Sequence, residues 1–415
     1  MAAPGGDGAP TAVSPQPGSV LGAFSAEELA GRVSRVRALM SSDEHDLDAL
    51  VITSPENIYY LVGLTHQGYF AFTMLVLPRE GDLSLLTRGM EAYTISQQAP
   101  DIDHVGYGDD EDAGTAAVKA LRRLGIAGGR VGVDRSSMFL PAGVWEEMEQ
   151  GLPGVEWVDT SRSPGTTHRF RAGLVDEARL VKSDAEIGYI RKAASISDRA
   201  VAAGLATAGE GVNEMEVAAA VYQEMILAGG EYPGFVPLIR SSETLLQEHS
   251  TWRDRRLEAG EKLFIELSGA SARYHAPLTR LSYIGSADEG AEEPQQLALA
   301  AFAAVVESLR PGVETGVVYD AWQEVVDESL GHGRLRRHHC GYSVGIGFPP
   351  SWVGSSSVLG IRRGGRVEVR AGMTFHVLSW ITDPDLGDHF VSDTVVVGEA
   401  GSEVVTTAAH TLVIR

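Results

Sequence analysis

What most limits the fold of this chain is a change of pattern at Val181-Lys182-Ser183-Asp184-Ala185-Glu186-Ile187. Upstream, short apolar runs alternate with helical patterns; downstream, one long helical pattern gives way to long strands. Ser183 and Glu186 have capping-box spacing, in which each side chain satisfies an orphaned backbone N–H, so a long helix is expected to run from there to about Leu205. Before it, Ser25 is a candidate N-cap for a helix reaching about Met40, LDALVITS and FTMLVLP have the pattern of buried strands, Asp112 to Leu124 that of a helix, and RVGVD that of the next strand. This alternation predicts an α/β N-terminal domain over 23–165. After the polar stretch TSRSPGTTHRFRAG, the strand patterns KLFIELSG and DTVVVG predict a C-terminal α+β domain over 176–415. Residues 1–22, rich in Gly, Ala, Pro and Ser, are expected to form a disordered tail because they cannot repay the entropy of ordering.

Charge narrows the partners. The 415 residues carry 56 acidic and 34 basic side chains, a formal net charge of −22. Neutralising phosphate takes clustered Lys and Arg, so nucleic acid and anionic membrane are poor partners and a small zwitterionic substrate is the better fit. Cys340 is the only cysteine, which forbids an intrachain disulfide and suits a reducing, cytoplasmic setting. No apolar run approaches the roughly 18 residues of a bilayer span, and the first residues lack the basic start and apolar core of a signal peptide.

The chemistry concentrates downstream. Glu266 lies in Phe264-Ile265-Glu266-Leu267, an apolar strand where a carboxylate is costly unless paired or protonated. His249 stands 266 − 249 = 17 residues upstream. Tyr274, His275 and Arg280 follow, and equal parity along an extended chain places Tyr274 and Arg280 on Glu266's face. There an arginine could grip a substrate carboxylate and a tyrosine could donate to a developing anion. His338, His339 and Cys340 are adjacent and alternate sides, so they do not converge on one ion, and Cys340 is expected to be a buried thiol. Gly341-Tyr342-Ser343-Val344-Gly345 matches a nucleophile-elbow pattern, but a charged segment precedes it and Pro349-Pro350 follow, where that motif needs a strand and a helix.

The segment His249 to Arg280, HSTWRDRRLEAGEKLFIELSGASARYHAPLTR, resembles the metal-binding core of the creatinase/prolidase/aminopeptidase P, or pita-bread, family, with its donors replaced. Carried over position by position, the first metal-binding carboxylate is Glu266, the second is Pro277, the liganding histidine is Tyr342, and the last two glutamates fall near Leu378 and Ser392. A divalent ion needs several carboxylate or imidazole donors, so the resemblance implies a pocket without metal or other cofactor. It also implies a C-terminal curved antiparallel sheet covered by helices, and a homodimer in which the N-terminal domain of one subunit reaches the other's site, with Phe70 and Arg88 as candidates.

The blocks GFVPLIRS, QEHSTW, IELSG…RYHAPLTR and CGYSVGIGFPPSW look nearest to ectoine hydrolases, the metal-free branch beside creatinase. That likeness implies hydrolysis of a C–N bond in a small amidine, with Glu266 and His249 catalytic. Arg280, Arg240, Tyr274, His275, Tyr342, Trp352, His376, Asp393 and Phe70 are its expected substrate-binding set. The chain departs from that branch at LTHQGYFAF and at PPSWVGSSS, which bears no acidic residue, so the substrate is less closely defined than the reaction. A creatinase-like amidinohydrolase, a metal-dependent Xaa-Pro peptidase and a non-catalytic pita-bread binding protein are the alternatives.

Overall fold

The computed structural model describes residues 22–161, 173–354 and 358–415. The expected tail and most of the polar stretch between the domains lie outside the described residues. The chain forms two compact units, one ending at Trp157 and the other running from Val158 to Arg415, with Ser54–Glu56 and Val133–Met138 assigned to the second.

In the first unit six strands, β1 (Ala49–Ile52), β2 (Met74–Pro78), β3 (Ser84–Arg88), β4 (Asp103–Tyr107), β5 (Gly129–Val133) and β6 (Val155–Asp159), make one sheet in the order β4-β3-β2-β1-β5-β6. The helices between them are α1 (Ala26–Met40), α2 (Pro55–Val62), α3 (Ala92–Gln98), α4 (Ala113–Arg123) and α5 (Ala142–Gly151). Ser25 caps α1 by accepting from the Glu28 N–H at 3.2 Å, and Asp112 caps α4 through the Gly114 and Thr115 N–H groups.

The second unit opens with α6 (Leu174–Ala178) and α7 (Asp184–Thr207). The capping box at the start of α7 is present as expected: the Ser183 N–H donates to the Glu186 carboxylate at 2.8 Å, and the Glu186 N–H donates to the Ser183 hydroxyl at 3.3 Å. Next come α8 (Glu214–Leu227), β7 (Leu238–Ser241), β8 (Lys262–Ser271), β9 (Tyr274–Tyr283), α9 (Glu292–Ser308) and α10 (Thr315–Leu330). The chain ends with β10 (Gly341–Ser343), β11 (Thr374–Asp383), β12 (Gly387–Val397), β13 (Ser402–Val404) and β14 (Val413–Ile414). The curved sheet has the order β10-β11-β12-β9-β8-β7, with β13 on β12 and β14 on β9.

One face of this sheet is packed with helices. Ile265, Leu267 and Leu278 meet Ile196, Val201 and Val221 of α7 and α8, while Phe375, Val377 and Val391 meet Phe302 and Trp322 of α9 and α10. The alternate residues form the opposite face, where Phe264, Leu378, Trp380 and Phe390 cluster. Glu266, paired with Leu238 and Thr279, belongs to that face.

Register on this face is set by the β8–β9 turn. Ala272 and Arg273 both take left-handed backbone, φ 47° and 62°, the conformation of a tight hairpin usually built from Asn and Gly. Tertiary contacts hold it instead. The Ala272 and Arg273 N–H groups donate to the Glu231 carboxylate at 2.6 and 3.1 Å, and the buried Arg273 guanidinium donates to the Tyr232 and Gly347 carbonyls. A two-residue turn pairs Ser271 with Tyr274, so even positions on β8 face odd positions on β9.

Candidate active site

A cavity of about 230 Å³ opens on the helix-free face of the curved sheet. Glu266 of β8 lies in its wall together with His249, Arg240, Tyr342 and Trp352, five of the residues singled out from sequence. Leu378 and Trp380 of β11 supply an apolar side, and the Phe235 ring makes tilted contacts with those of His249 and Trp352, with centroids 6.0 and 5.3 Å away. His249 itself sits in the left-handed region, φ 59°, which is sparsely populated by residues bearing a Cβ.

Glu266 is 3 % exposed, and no described residue donates a hydrogen bond to its carboxylate. Burial pushes its pKa up to about 7 against the opposing pull of the Arg240 guanidinium; Glu248 adds to the rise and Arg337 to the fall. Arg240 lies across from Phe264 on the neighbouring strand, its guanidinium 3.9 Å from that ring's centroid. One of its terminal nitrogens donates to the Gln247 carbonyl at 2.8 Å, while its Nε is buried without a partner among the described residues. Burial draws its pKa down and the Glu266 charge raises it, but a guanidinium keeps its proton at any working pH.

Behind the cavity wall a chain of neutral donors and acceptors crosses four strands, β10, β11, β12 and β9. The Trp352 Nε1–H donates to the Tyr342 hydroxyl at 3.2 Å, and that hydroxyl lies 2.8 Å from His376 Nδ1. His376 Nε2 is 2.6 Å from the Ser392 hydroxyl, which donates to Thr279 at 2.7 Å. Burial pulls the His376 pKa down to about 3, so the ring is neutral, and burial raises the Tyr342 phenol above its ordinary range. Both ring nitrogens of His376 are occupied by protein. It supports Tyr342 rather than meeting a ligand.

The hairpin register overturns part of the expected site. Arg280 pairs with Ile265, not with Glu266, and so points to the helix-covered face. There it is 2.8 Å from Asp393 and donates to the Ser392 and Ala408 carbonyls, while Asp393 also takes the Thr406 hydroxyl and His410 Nε2. This buried ion pair holds the chain's last segment to the sheet, and neither member lines the cavity. Tyr274 faces the same way, its hydroxyl 2.6 Å from the Glu186 carboxylate. His275 is fully buried with Nδ1 against the Arg273 carbonyl at 2.9 Å and Nε2 accepting from the Gly234 N–H at 2.8 Å, and burial holds its pKa near 3. The odd-numbered offset of the turn exchanges faces, so residues of equal parity on β8 and β9 lie on opposite sides of the sheet.

In the first unit Phe70 is 78 % exposed, and Arg88 is tied to Asp109 by two hydrogen bonds of 2.8 Å. Cys340 is a buried thiol with a raised pKa. Arg337, Arg362, Glu248 and His339 line the cavity without having been expected there. The signal was available in part, since RLRRHHC runs directly into Gly341-Tyr342 on β10.

Comparison with known proteins fits this architecture. The profile of metallopeptidase family M24 matches residues 188–399, and that of the creatinase/prolidase N-terminal domain matches residues 32–181. The chain belongs to metallopeptidase family M24. It is 27 % identical over 407 residues to an uncharacterized hydrolase/peptidase of Sinorhizobium fredii, covering 94 % of this chain and 98 % of that one. It is also 25 % identical to the ectoine hydrolase of Halomonas elongata, again over 94 % and 98 % of the two chains. The prolidase of Pyrococcus horikoshii superposes with a TM-score of 0.75 at 25 % identity, covering 92 % of this chain and all of that one.

Family M24 implies metal, and the positions that resemblance assigns to its ligands can be tested on the sheet. Glu266, Pro277, Tyr342, Leu378 and Ser392 all fall on the helix-free face, through the pairs Glu266–Thr279, Ser268–Pro277, Thr279–Ser392, Leu378–Ser392 and Tyr342–His376. The five positions assigned by the resemblance therefore share one face of the sheet. Of these five side chains only Glu266 is a carboxylate, and among the described residues no group of three or more His, Cys, Asp and Glu converges. These residues do not fit a divalent ion, which needs several such donors at once.

Proposed function

We propose that this M24 protein is a metal-independent hydrolase of a C–N bond in a small zwitterionic amidine or guanidine, with ectoine-type ring opening as the leading case. The observation that carries the proposal is the state of Glu266: the one carboxylate left on the old ligand face, buried, free of donors from the described residues, and beside Arg240. A substrate that brings its own amidinium offers that carboxylate a counter-charge, and its own carboxylate can pair with the Arg240 guanidinium, which lines the cavity. The positive charge of the amidinium makes its carbon electrophilic, which is the service a metal ion gives a peptide carbonyl.

In the reaction the oxygen of water adds to the amidinium carbon while Glu266 takes one of the water's protons. The tetrahedral adduct then loses one C–N bond: His249 delivers a proton to the departing nitrogen and takes the one that the adduct's hydroxyl gives up, leaving an amide, or a urea from a guanidine, and an amine. General acid–base help of this kind contributes about 10²–10⁴-fold. The left-handed backbone that presents His249 to the cavity is in keeping with a functional placement. On this reading the protein acts in the cytoplasm as a homodimer, with the exposed Phe70 presented to the partner's cavity.

Replacing Glu266 by Gln tests the proposal. Calorimetric binding of the substrate should persist while turnover falls by at least about 10²-fold, and a variant that retains activity refutes the role of Glu266. The second reading, a metal-dependent Xaa-Pro dipeptidase, has in its favour relatives of that name in Pyrococcus horikoshii and Pyrococcus furiosus. It predicts that bound divalent metal and activity on Xaa-Pro dipeptides vanish together on treatment with EDTA.

A further inference from the structure

A second and larger cavity, of about 500 Å³, adjoins the first and shares Arg337, His338, Val358 and Arg362 with it. Its remaining cationic lining is Arg336, Arg363 and Arg366, and no Asp or Glu lines it. In a chain with a net charge of −22, five guanidinium groups around one cavity are a marked concentration. Two have acidic partners: Arg336 lies 3.2 Å from Asp327 and Arg337 lies 3.4 Å from Glu248. Arg362, Arg363 and Arg366 make no ion pair among the described residues, and the Nε of Arg362 is buried with no hydrogen-bond partner.

The loop carrying these arginines is fastened to the start of α10. The Thr315 N–H donates to the Val367 carbonyl at 2.9 Å, and the Gly316 N–H donates to the Gly365 carbonyl at 2.8 Å. Thr315, which also lines the cavity, is fully buried, and its hydroxyl has no partner among the described residues. Three arginines without acidic partners thus stand on an anchored loop beside a buried hydroxyl, a lining complementary to a group that is negatively charged and carries hydrogen-bond acceptors.

We propose that this cavity is a binding site for a small polyanion bearing two or more phosphate or carboxylate groups. The site adjoins the proposed reaction site, and the proposal stands whether or not that reaction is correct. Planar guanidiniums match both anion types through paired hydrogen bonds, and a volume of about 500 Å³ admits a molecule of the size of citrate or pyrophosphate.

The test is calorimetric titration of the full chain with pyrophosphate and with citrate at constant ionic strength, repeated on Arg363→Gln/Arg366→Gln, on Arg366→Gln alone and on Arg240→Gln. Both loop arginines are exposed, so their replacement should spare the fold, and a thermal melt checks this. The expected result is saturable binding of at least one probe at one per chain, weakened about tenfold or more in the double variant, which corresponds to about 1.4 kcal/mol, and less in the single one. Preference for pyrophosphate assigns phosphate chemistry, and preference for citrate assigns polycarboxylate chemistry. The proposal is overturned if neither probe binds, if the double variant binds as tightly as the parent, or if binding is lost only in Arg240→Gln, which would put the anion in the first cavity.

Discussion

A carboxylate in an apolar strand must be either neutral or opposed by cations, and Glu266 is poised between these conditions, with its pKa raised to about 7 by burial against the pull of Arg240. Two predictions follow the proton. If Glu266 is the base, kcat/KM should climb with pH and level off above about 7. Stability should move the other way: a group whose folded pKa lies above its unfolded value favours folding below the unfolded pKa, and that contribution is lost as pH rises through the folded one. Glu266→Gln should therefore melt higher than the parent at pH 8, by the equivalent of up to ~3 kcal/mol, with the difference closing near pH 4. A variant no more stable than the parent at pH 8 would show that the charge is not under strain. Arg280, by contrast, should behave as a structural residue. Arg280→Met leaves Asp393 buried without its cation and should cost about 3–5 kcal/mol in chemical denaturation, with KM unchanged at a temperature where the variant is folded.

At the scale of elements, the long helix α7 was legible because its start is written in local chemistry, Ser183 and Glu186 three residues apart. The buried strands β1, β2 and β8 were legible from their apolar runs. The facing of β9 was not, because it depends on a turn whose two left-handed residues, Ala272 and Arg273, carry none of the usual turn signals and are held by a distant glutamate. Glu231→Ala should accordingly loosen the β8–β9 hairpin. The loss of acceptors for the Ala272 and Arg273 N–H groups, with a charge beside the buried Arg273, predicts destabilisation of about 1.5–3 kcal/mol, measurable by urea unfolding. A variant as stable as the parent would mean that the turn conformation is held by other contacts.

Over the whole molecule, membership of family M24 and the curved sheet could be read from motifs, and the ligand positions inferred one at a time do share a face. The cationic surroundings of the site could be read only in part, through Arg240 and the run RLRRHHC. Arg337 and Arg362 are 25 residues apart in sequence (362 − 337), and only the fold brings them to one cavity wall. On the proposed reading, Glu266, Arg240 and the neutral Tyr342–His376–Ser392 chain take the place of a set of metal donors. The central claim is that this pocket breaks a C–N bond using these residues alone. The most direct measurement is product analysis of EDTA-dialysed protein incubated with ectoine, hydroxyectoine, creatine and Xaa-Pro dipeptides in turn. The account predicts ring-opened or deamidinated product from one of the first three at an undiminished rate; cleavage of a dipeptide that is absent after dialysis and returns only with added divalent metal would contradict it.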